Sequence, residues 1–392
     1  MQQHNWARRV QDIQPFHVMA VLARAKYLEA QGCDVIHMEI GEPDFTTPEP
    51  IIRAGQNALA AGHTGYTPAL GLPALREAVA GLYARRHGID LDPRRVIITP
   101  GGSAALLLVS ALLVEPGQQV LMADPAYPCN RHFLRLVEGR ARLIPTGPQT
   151  AYQLTPELVE QHWDADCRAV LAASPANPTG TLLSRAQLAA LAQTTRRLGG
   201  TLIVDEIYHG LTYGCEASSV LEVADDAFVL NSFSKYFGMT GWRLGWLVAP
   251  EAAVPELEKL AQNLYICAPH MAQQAALAAF GEDSLTICEQ RREAFRQRRD
   301  FLLPALRELG FDIPLTPDGA FYLYADMRRL GGDSDALCRH LIETEHLAIT
   351  PGLDFGQYRA SEHVRFAYTT SVARLEQAVE RLARGLGNWP GC

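Results

Sequence analysis

One lysine has neighbours suited to chemistry. Lys235 lies in Asn231-Ser232-Phe233-Ser234-Lys235-Tyr236-Phe237-Gly238, with Arg243 and Gly245 following. A lysine held among Ser, Phe and Gly is poorly solvated. Desolvation disfavours its charged form and readies the amine to attack a carbonyl. Ser232 and Arg243 on either side offer a hydroxyl and a guanidinium fork, the natural partners of an oxyanion. A plain surface lysine in a loop is the alternative. Gly101-Gly102-Ser103 falls between a strand-like and a helix-like run. Backbone amides at a helix start, freed by glycine, form an anion site, although an ordinary strand–helix turn reads the same way. Asp205, in Val204-Asp205-Glu206-Ile207-Tyr208, ends an apolar run. An isolated carboxylate there is costly and needs a cation or a capping role. Arg365, in Val364-Arg365-Phe366, is an arginine inside a strand-like run, either an edge residue or a clamp for a carboxylate.

These residues need a scaffold, and the periodicity supplies one. Short apolar or β-branched runs at 96–99, 119–122, 141–144, 169–172, 202–204, 227–230 and 244–248 alternate with helical stretches at 104–114, 130–137, 184–198 and 269–280. That alternation predicts an α/β fold with a mostly parallel sheet covered on both faces. Tyr127 then stands past the end of a strand, where such sheets bind ligands. Before this unit come helices over 15–31, 48–61 and 73–87 and a strand over 35–40. After it come a long helix over 282–309, strands over 320–324 and 364–367, and helices over 335–345 and 372–386. The last part predicts a smaller α+β domain joined by the N-terminal residues. The expected division is 1–47 with the small domain, 48–285 as the large domain and 286–392 as the rest of the small one.

At 392 residues and 48% hydrophobic, the chain is long enough for two domains with sizeable cores. A net charge of −8 gives no reason to expect nucleic acid or an anionic membrane as partner. No apolar run approaches the ~20 residues of a membrane span, and no secretory h-region follows the N-terminus. The eight cysteines are scattered, without CxxC or zinc spacing. Reduced thiols, no metal and a cytoplasmic location are expected.

Taken together the motifs resemble the class I/II aminotransferases, fold-type-I enzymes that use pyridoxal 5′-phosphate (PLP). The segment around Lys235 resembles their cofactor-lysine signature, and Ser174-Pro175-Ala176-Asn177-Pro178-Thr179-Gly180 resembles their Asn-Pro-x-Gly element. The likeness runs from about Pro15 to Leu386. It implies a large domain with a seven-stranded sheet and a smaller domain built from both termini. It also implies roles. Lys235 carries PLP. Gly101, Gly102, Ser103, Ser232, Ser234 and Arg243 hold the phosphate. Asp205 pairs with the pyridine nitrogen, Tyr127 stacks on the ring, and Asn177 and Tyr208 reach the ring oxygen. Arg365, with Asn177 and Gly41 near it, holds the substrate carboxylate. Lys235, Asp205 and Tyr208 form the catalytic set. Tyr66, in Gly65-Tyr66-Thr67, matches a tyrosine that reaches the neighbouring subunit's phosphate, which implies a homodimer with shared sites. The resemblance also raises the expectation that Asn177–Pro178 is cis.

The implied activity is ping-pong transfer of an amino group from an L-amino acid to a 2-oxo acid. A carbon–sulfur β-lyase, a decarboxylase and a PLP-binding regulator are the alternatives on this scaffold. A neutral or apolar donor is expected over aspartate, because a dicarboxylate needs a second cation. Some related aspartate enzymes place a lysine where Ser103 stands. Others lend an arginine from the partner in the stretch 263–274, where this chain has no Lys or Arg and only His270 as a candidate. Phe16, Val18 and Met19 are expected to make an apolar pocket edge.

Overall fold

The computed structural model describes residues 6–390. The thiol of Cys392 and the start of the chain, Met1–Asn5, lie outside the described residues. The chain forms β1 (Ile36–His37), β2 (Val96–Thr99), β3 (Gln119–Asp124), β4 (Arg140–Pro145), β5 (Cys167–Ala173), β6 (Thr201–Asp205), β7 (Phe228–Ser232), β8 (Gly245–Val248), β9 (Tyr322–Asp326), β10 (Leu347–Ala348), β11 (Thr350–Pro351) and β12 (His363–Ala367). Strands β2 to β8 make one seven-stranded sheet in the order β2-β8-β7-β6-β5-β3-β4. Every pairing in it is parallel except those of β8, which runs against β2 and β7.

All seven expected strands are present in this sheet, and their apolar runs have a physical reason. Both faces are covered, so successive side chains enter two different cores. Ile97, Ile203, Phe228 and Leu230 pack into one; Val96, Ile98, Leu202, Val204 and Val229 pack into the other. Helices Gly101–Leu113 and Val254–Leu264 cover the first face, and Pro73–His87 and Arg185–Arg197 contribute to the second. The helix expected from 104 starts earlier, at Gly101. Propensity assigns glycines to a loop, yet a first turn whose amides have no intrahelical acceptor tolerates them.

The C-terminal part forms an antiparallel sheet in the order β11-β12-β9, and β1 pairs in parallel with β10. The strand expected over 35–40 is only Ile36–His37, although Met38 N still donates to Ala348 O at 2.9 Å. The strand expected over 320–324 begins at Tyr322, because Ala320 has φ +57 and cannot extend it. The long helix spans Glu282–Glu308 as expected. Asp124–Pro125, Ser174–Pro175 and Asn177–Pro178 are cis.

Candidate active site

The C-terminal ends of the parallel strands converge on one cavity of about 360 Å³. Lys235, Asp205, Tyr208, Asn177, Tyr127, Gly102, Ser103, Ser232, Ser234, Arg243, Gly41 and Arg365 all line it. Gly101 sits just behind this wall, with φ +78, and a Cβ there would meet Arg243 Nη2 at 2.6 Å. Tyr66 is 80% exposed and does not line the cavity.

Lys235 follows β7 in a tight turn and donates from Nζ to the Gly41 carbonyl at 2.6 Å. Burial pulls its amine down to about 8, against the opposing pull of the Glu42 carboxylate. Asp205 closes β6. Its Oδ1 accepts the Ile207 amide at 3.0 Å and closes a local turn, but no helix begins there, so Asp205 is not a helix cap. That single donor does not offset desolvation, which pushes the carboxyl up to about 6. The cavity therefore holds a carboxylate short of positive charge and an amine that gives up its proton easily.

Gly102 and Ser103 lie in the first turn of helix Gly101–Leu113, whose free amides and dipole favour an anion. Ser232 Oγ bonds to Ser234 Oγ at 2.9 Å and to Leu244 O at 3.1 Å. Strand β8 presses onto this turn: a Cβ on Gly245 would lie 2.8 Å from Gly101 C and from Gly102 N. Only glycine permits that approach. It brings Arg243, at φ +53, to the same corner, with Nη1 bonded to Thr240 O at 2.9 Å. Amides, hydroxyls and a guanidinium thus surround one place.

Arg365 is not an edge residue. It is 2% exposed on β12, the middle strand of its sheet. Nη1 donates to Asn177 Oδ1 at 3.0 Å, and Nη2 donates to the Glu39 carbonyl. Its Nε is buried without a partner among the described residues. Because arginine only donates, Asn177 must turn its oxygen to Arg365 and its NH2 away from it. The guanidinium lies 4.3 Å from the Tyr322 ring centre and 4.7 Å from that of Phe355.

Tyr322 is the residue that sequence reading missed. Its Oη hydrogen-bonds Tyr208 Oη at 2.8 Å. A Cβ on Gly41 would fall 2.1 Å from the same Oη, so the tyrosine alone requires glycine at 41. At the rim Phe16, Val18 and Met19 line the cavity as expected, and Phe16 packs edge-on to Tyr127 at 6.4 Å. Glu42 also lines it and accepts from Thr240 Oγ1 at 2.5 Å. Among the described residues no cluster of His, Cys, Asp and Glu could hold a metal, and no helix is long and apolar enough to cross a membrane.

Comparison with known proteins gives this geometry a context. The family described as aminotransferase class I and II matches residues 33–382. A valine–pyruvate aminotransferase of Mycobacterium tuberculosis is 39% identical over 380 residues, covering 96% of each chain. An aspartate/prephenate aminotransferase of Thermus thermophilus is 35% identical, covering 97% of this chain and 98% of its own. A crystal structure of an aminotransferase from Mycobacterium tuberculosis superposes with a TM-score of 0.95 at 38% identity, covering 99% of this chain and all of its own.

Proposed function

The chain belongs to the class I and II aminotransferases, and from that premise we propose that it transfers the amino group of a neutral or apolar L-amino acid to a 2-oxo acid, using PLP. The residues present fit that cofactor. Helix-start amides, Ser232, Ser234 and Arg243 suit a phosphate. The under-compensated Asp205 carboxylate suits a protonated pyridine nitrogen. The Asn177 amide and the Tyr208 hydroxyl suit a ring oxygen, and Lys235 suits the aldehyde. When bound, PLP supplies the electron sink that makes the substrate Cα–H bond acidic.

The chain's own residues then have distinct tasks. Arg365, already aligned by Asn177 and the Glu39 carbonyl, holds the substrate α-carboxylate and fixes the direction of the Cα–H bond. Lys235 Nζ accepts the Cα proton. An amine at about 8 exists partly neutral at physiological pH, which an ordinary lysine does not. Phe16, Val18 and Met19 give the rim an apolar edge. Exchange of the product oxo acid for a second one completes a ping-pong cycle.

The observation that carries the substrate class is the cavity's charge inventory. Among the described residues its only Lys or Arg side chains are Lys235, Arg243 and Arg365, and each already has a task. A side-chain carboxylate would find no further Lys or Arg in this chain's own lining, while the rim offers three apolar side chains. The name of the valine–pyruvate relative agrees with this reading; that of the aspartate/prephenate relative favours the acidic alternative. The test is kcat/KM for aspartate against alanine, valine, leucine and methionine, with pyruvate or 2-oxoglutarate as acceptor. A clear preference for aspartate would sink the apolar assignment. We also propose a cytoplasmic homodimer, supported by the exposure of Tyr66, and a large domain over 48–285 with the small domain drawn from both termini.

A further inference from the structure

We infer that Tyr322 is a positioning residue for this reaction: its hydroxyl donates to Tyr208 Oη, so that Tyr208 turns its own proton toward the cofactor's ring oxygen. The inference rests on the PLP reading above. Tyr322 stands at the start of β9 in the three-stranded sheet, whereas Tyr208 follows β6 of the seven-stranded one. Their bond at 2.8 Å therefore crosses between the two sheets inside the cavity. Both rings are buried, with Tyr208 4% and Tyr322 1% exposed, and they pack edge to face with centres 5.8 Å apart.

Three other contacts hold Tyr322 in place. Arg365 lies on its ring face at 4.3 Å. Phe321 packs beside it at 4.8 Å. The backbone at Gly41 leaves no room for even one methyl group beside Oη. A hydroxyl confined in this way has one hydrogen-bond partner among the described residues, Tyr208. Either oxygen can donate in isolation. A phenolate oxygen in the cavity decides the direction, because it can only accept. Tyr208 must then donate to it, and Tyr322 must donate to Tyr208. Each bond in such a chain strengthens the next. The charged or titratable groups around the pair are Arg365, Lys235, Asp205, Tyr127 and Glu42. None of these five is hydrogen-bonded to either phenol.

The test uses the PLP-loaded enzyme and reads the pH midpoint at which the cofactor's visible absorbance changes. Donation to the ring oxygen favours the deprotonated chromophore. Tyr322→Phe keeps the ring and the Arg365 contact but removes the donor, and should raise the midpoint by about half a pH unit or more. Tyr208→Phe should raise it further. Tyr322→Phe added to Tyr208→Phe should change nothing more, since its effect passes through Tyr208. Gly41→Ala, which displaces the hydroxyl without deleting it, should raise the midpoint as Tyr322→Phe does, and gives an independent second reading. A structural role alone would lower the melting temperature and leave the midpoint where it was. An unmoved midpoint in Tyr322→Phe alongside a raised one in Tyr208→Phe overturns the role of Tyr322. So does an equal shift in both backgrounds. If no visible band forms with PLP, the failure lies in the cofactor reading itself; if the band forms but Tyr208→Phe also leaves its midpoint unmoved, Tyr208 does not donate to the ring oxygen and the role of Tyr322 falls with it.

Discussion

Gly41→Ala is the sharpest probe of how this site is assembled. The added Cβ would stand 2.1 Å from Tyr322 Oη, while ordinary contact begins near 3.4 Å. The phenol must retreat by about 1 Å. A hydrogen bond of 2.8 Å to Tyr208 does not survive a displacement of that size away from its partner. Overpacking of this kind costs about 1–3 kcal/mol, and a buried phenol left unpaired adds about 1 kcal/mol. The expected loss is therefore about 2–4 kcal/mol, read by urea unfolding at fixed protein concentration. The carbonyl of the same residue receives Lys235 Nζ, so kcat/KM should fall by roughly 10²-fold as well. The decisive comparison is the double variant, Gly41→Ala with Tyr322→Phe. Once the hydroxyl is gone the nearest ring atom is Cζ at 3.2 Å, a conflict that a shift of a few tenths of an ångström relieves. Most of the stability lost to Gly41→Ala should be restored in that background. The reasoning is refuted if Gly41→Ala is as stable as its parent, or if it costs as much in the Tyr322→Phe background as it does alone.

Lys235→Ala should abolish capture of PLP by borohydride reduction, read as loss of the cofactor's mass on that peptide, and should remove nearly all turnover. In the parent protein the rate of PLP capture should rise with pH, reach half its plateau near pH 8 and level off above it, because only the neutral amine attacks; a midpoint nearer 10 would mean that Lys235 is solvated like an ordinary lysine. Burial pushes the Asp205 carboxyl up to about 6 from an ordinary 3.8, so the folded state binds its extra proton between these values and the Asp205 contribution to stability falls as pH rises through them. Asp205→Asn should lack that contribution and be more stable than its parent at pH 7 by about 1–3 kcal/mol in the cofactor-free protein, while losing most activity; a stability difference between parent and variant that is the same at pH 4 and pH 7 would contradict this. Sedimentation should find at least a dimer at micromolar protein, and a fully active monomer would rule out a shared site at Tyr66.

What could be read from the chain depended on how local each signal was. Lys235, Asp205 and Asn177 sit in short segments whose neighbours declare their setting, and the structure brings them to one cavity. The seven strands were legible because a sheet covered on both faces makes its strands continuous apolar runs. Tyr322 was not legible: Ala320-Phe321-Tyr322 reads as ordinary strand aromatics, and its value comes from Tyr208 and Gly41, both far off in sequence. The second partner of Arg365, the Glu39 carbonyl, was hidden for a similar reason. A backbone carbonyl such as that of Glu39 carries no side-chain signature. Strands β10 and β11 have two residues each, too few for periodicity to register.

Strand β8 is the one strand of its sheet that runs against its neighbours, and this has a consequence for how the protein loses and regains its order. In a parallel sheet only the ends of strands reach the binding edge. A reversed strand offers its beginning there instead. The turn between β7 and β8 therefore carries Ser232, Ser234, Lys235 and Arg243 on a single hairpin, with Gly245 wedged against Gly101 and Gly102. On the proposed PLP reading, a phosphate held by both arms would act as a removable staple on that hairpin. Because a ligand that binds only the folded form stabilises it, the staple's strength is also the hairpin's resistance to opening. Amide exchange across 232–245 should then slow on cofactor loading far more than exchange in β4 at the opposite edge of the sheet, making this hairpin the local unit whose fraying releases the cofactor.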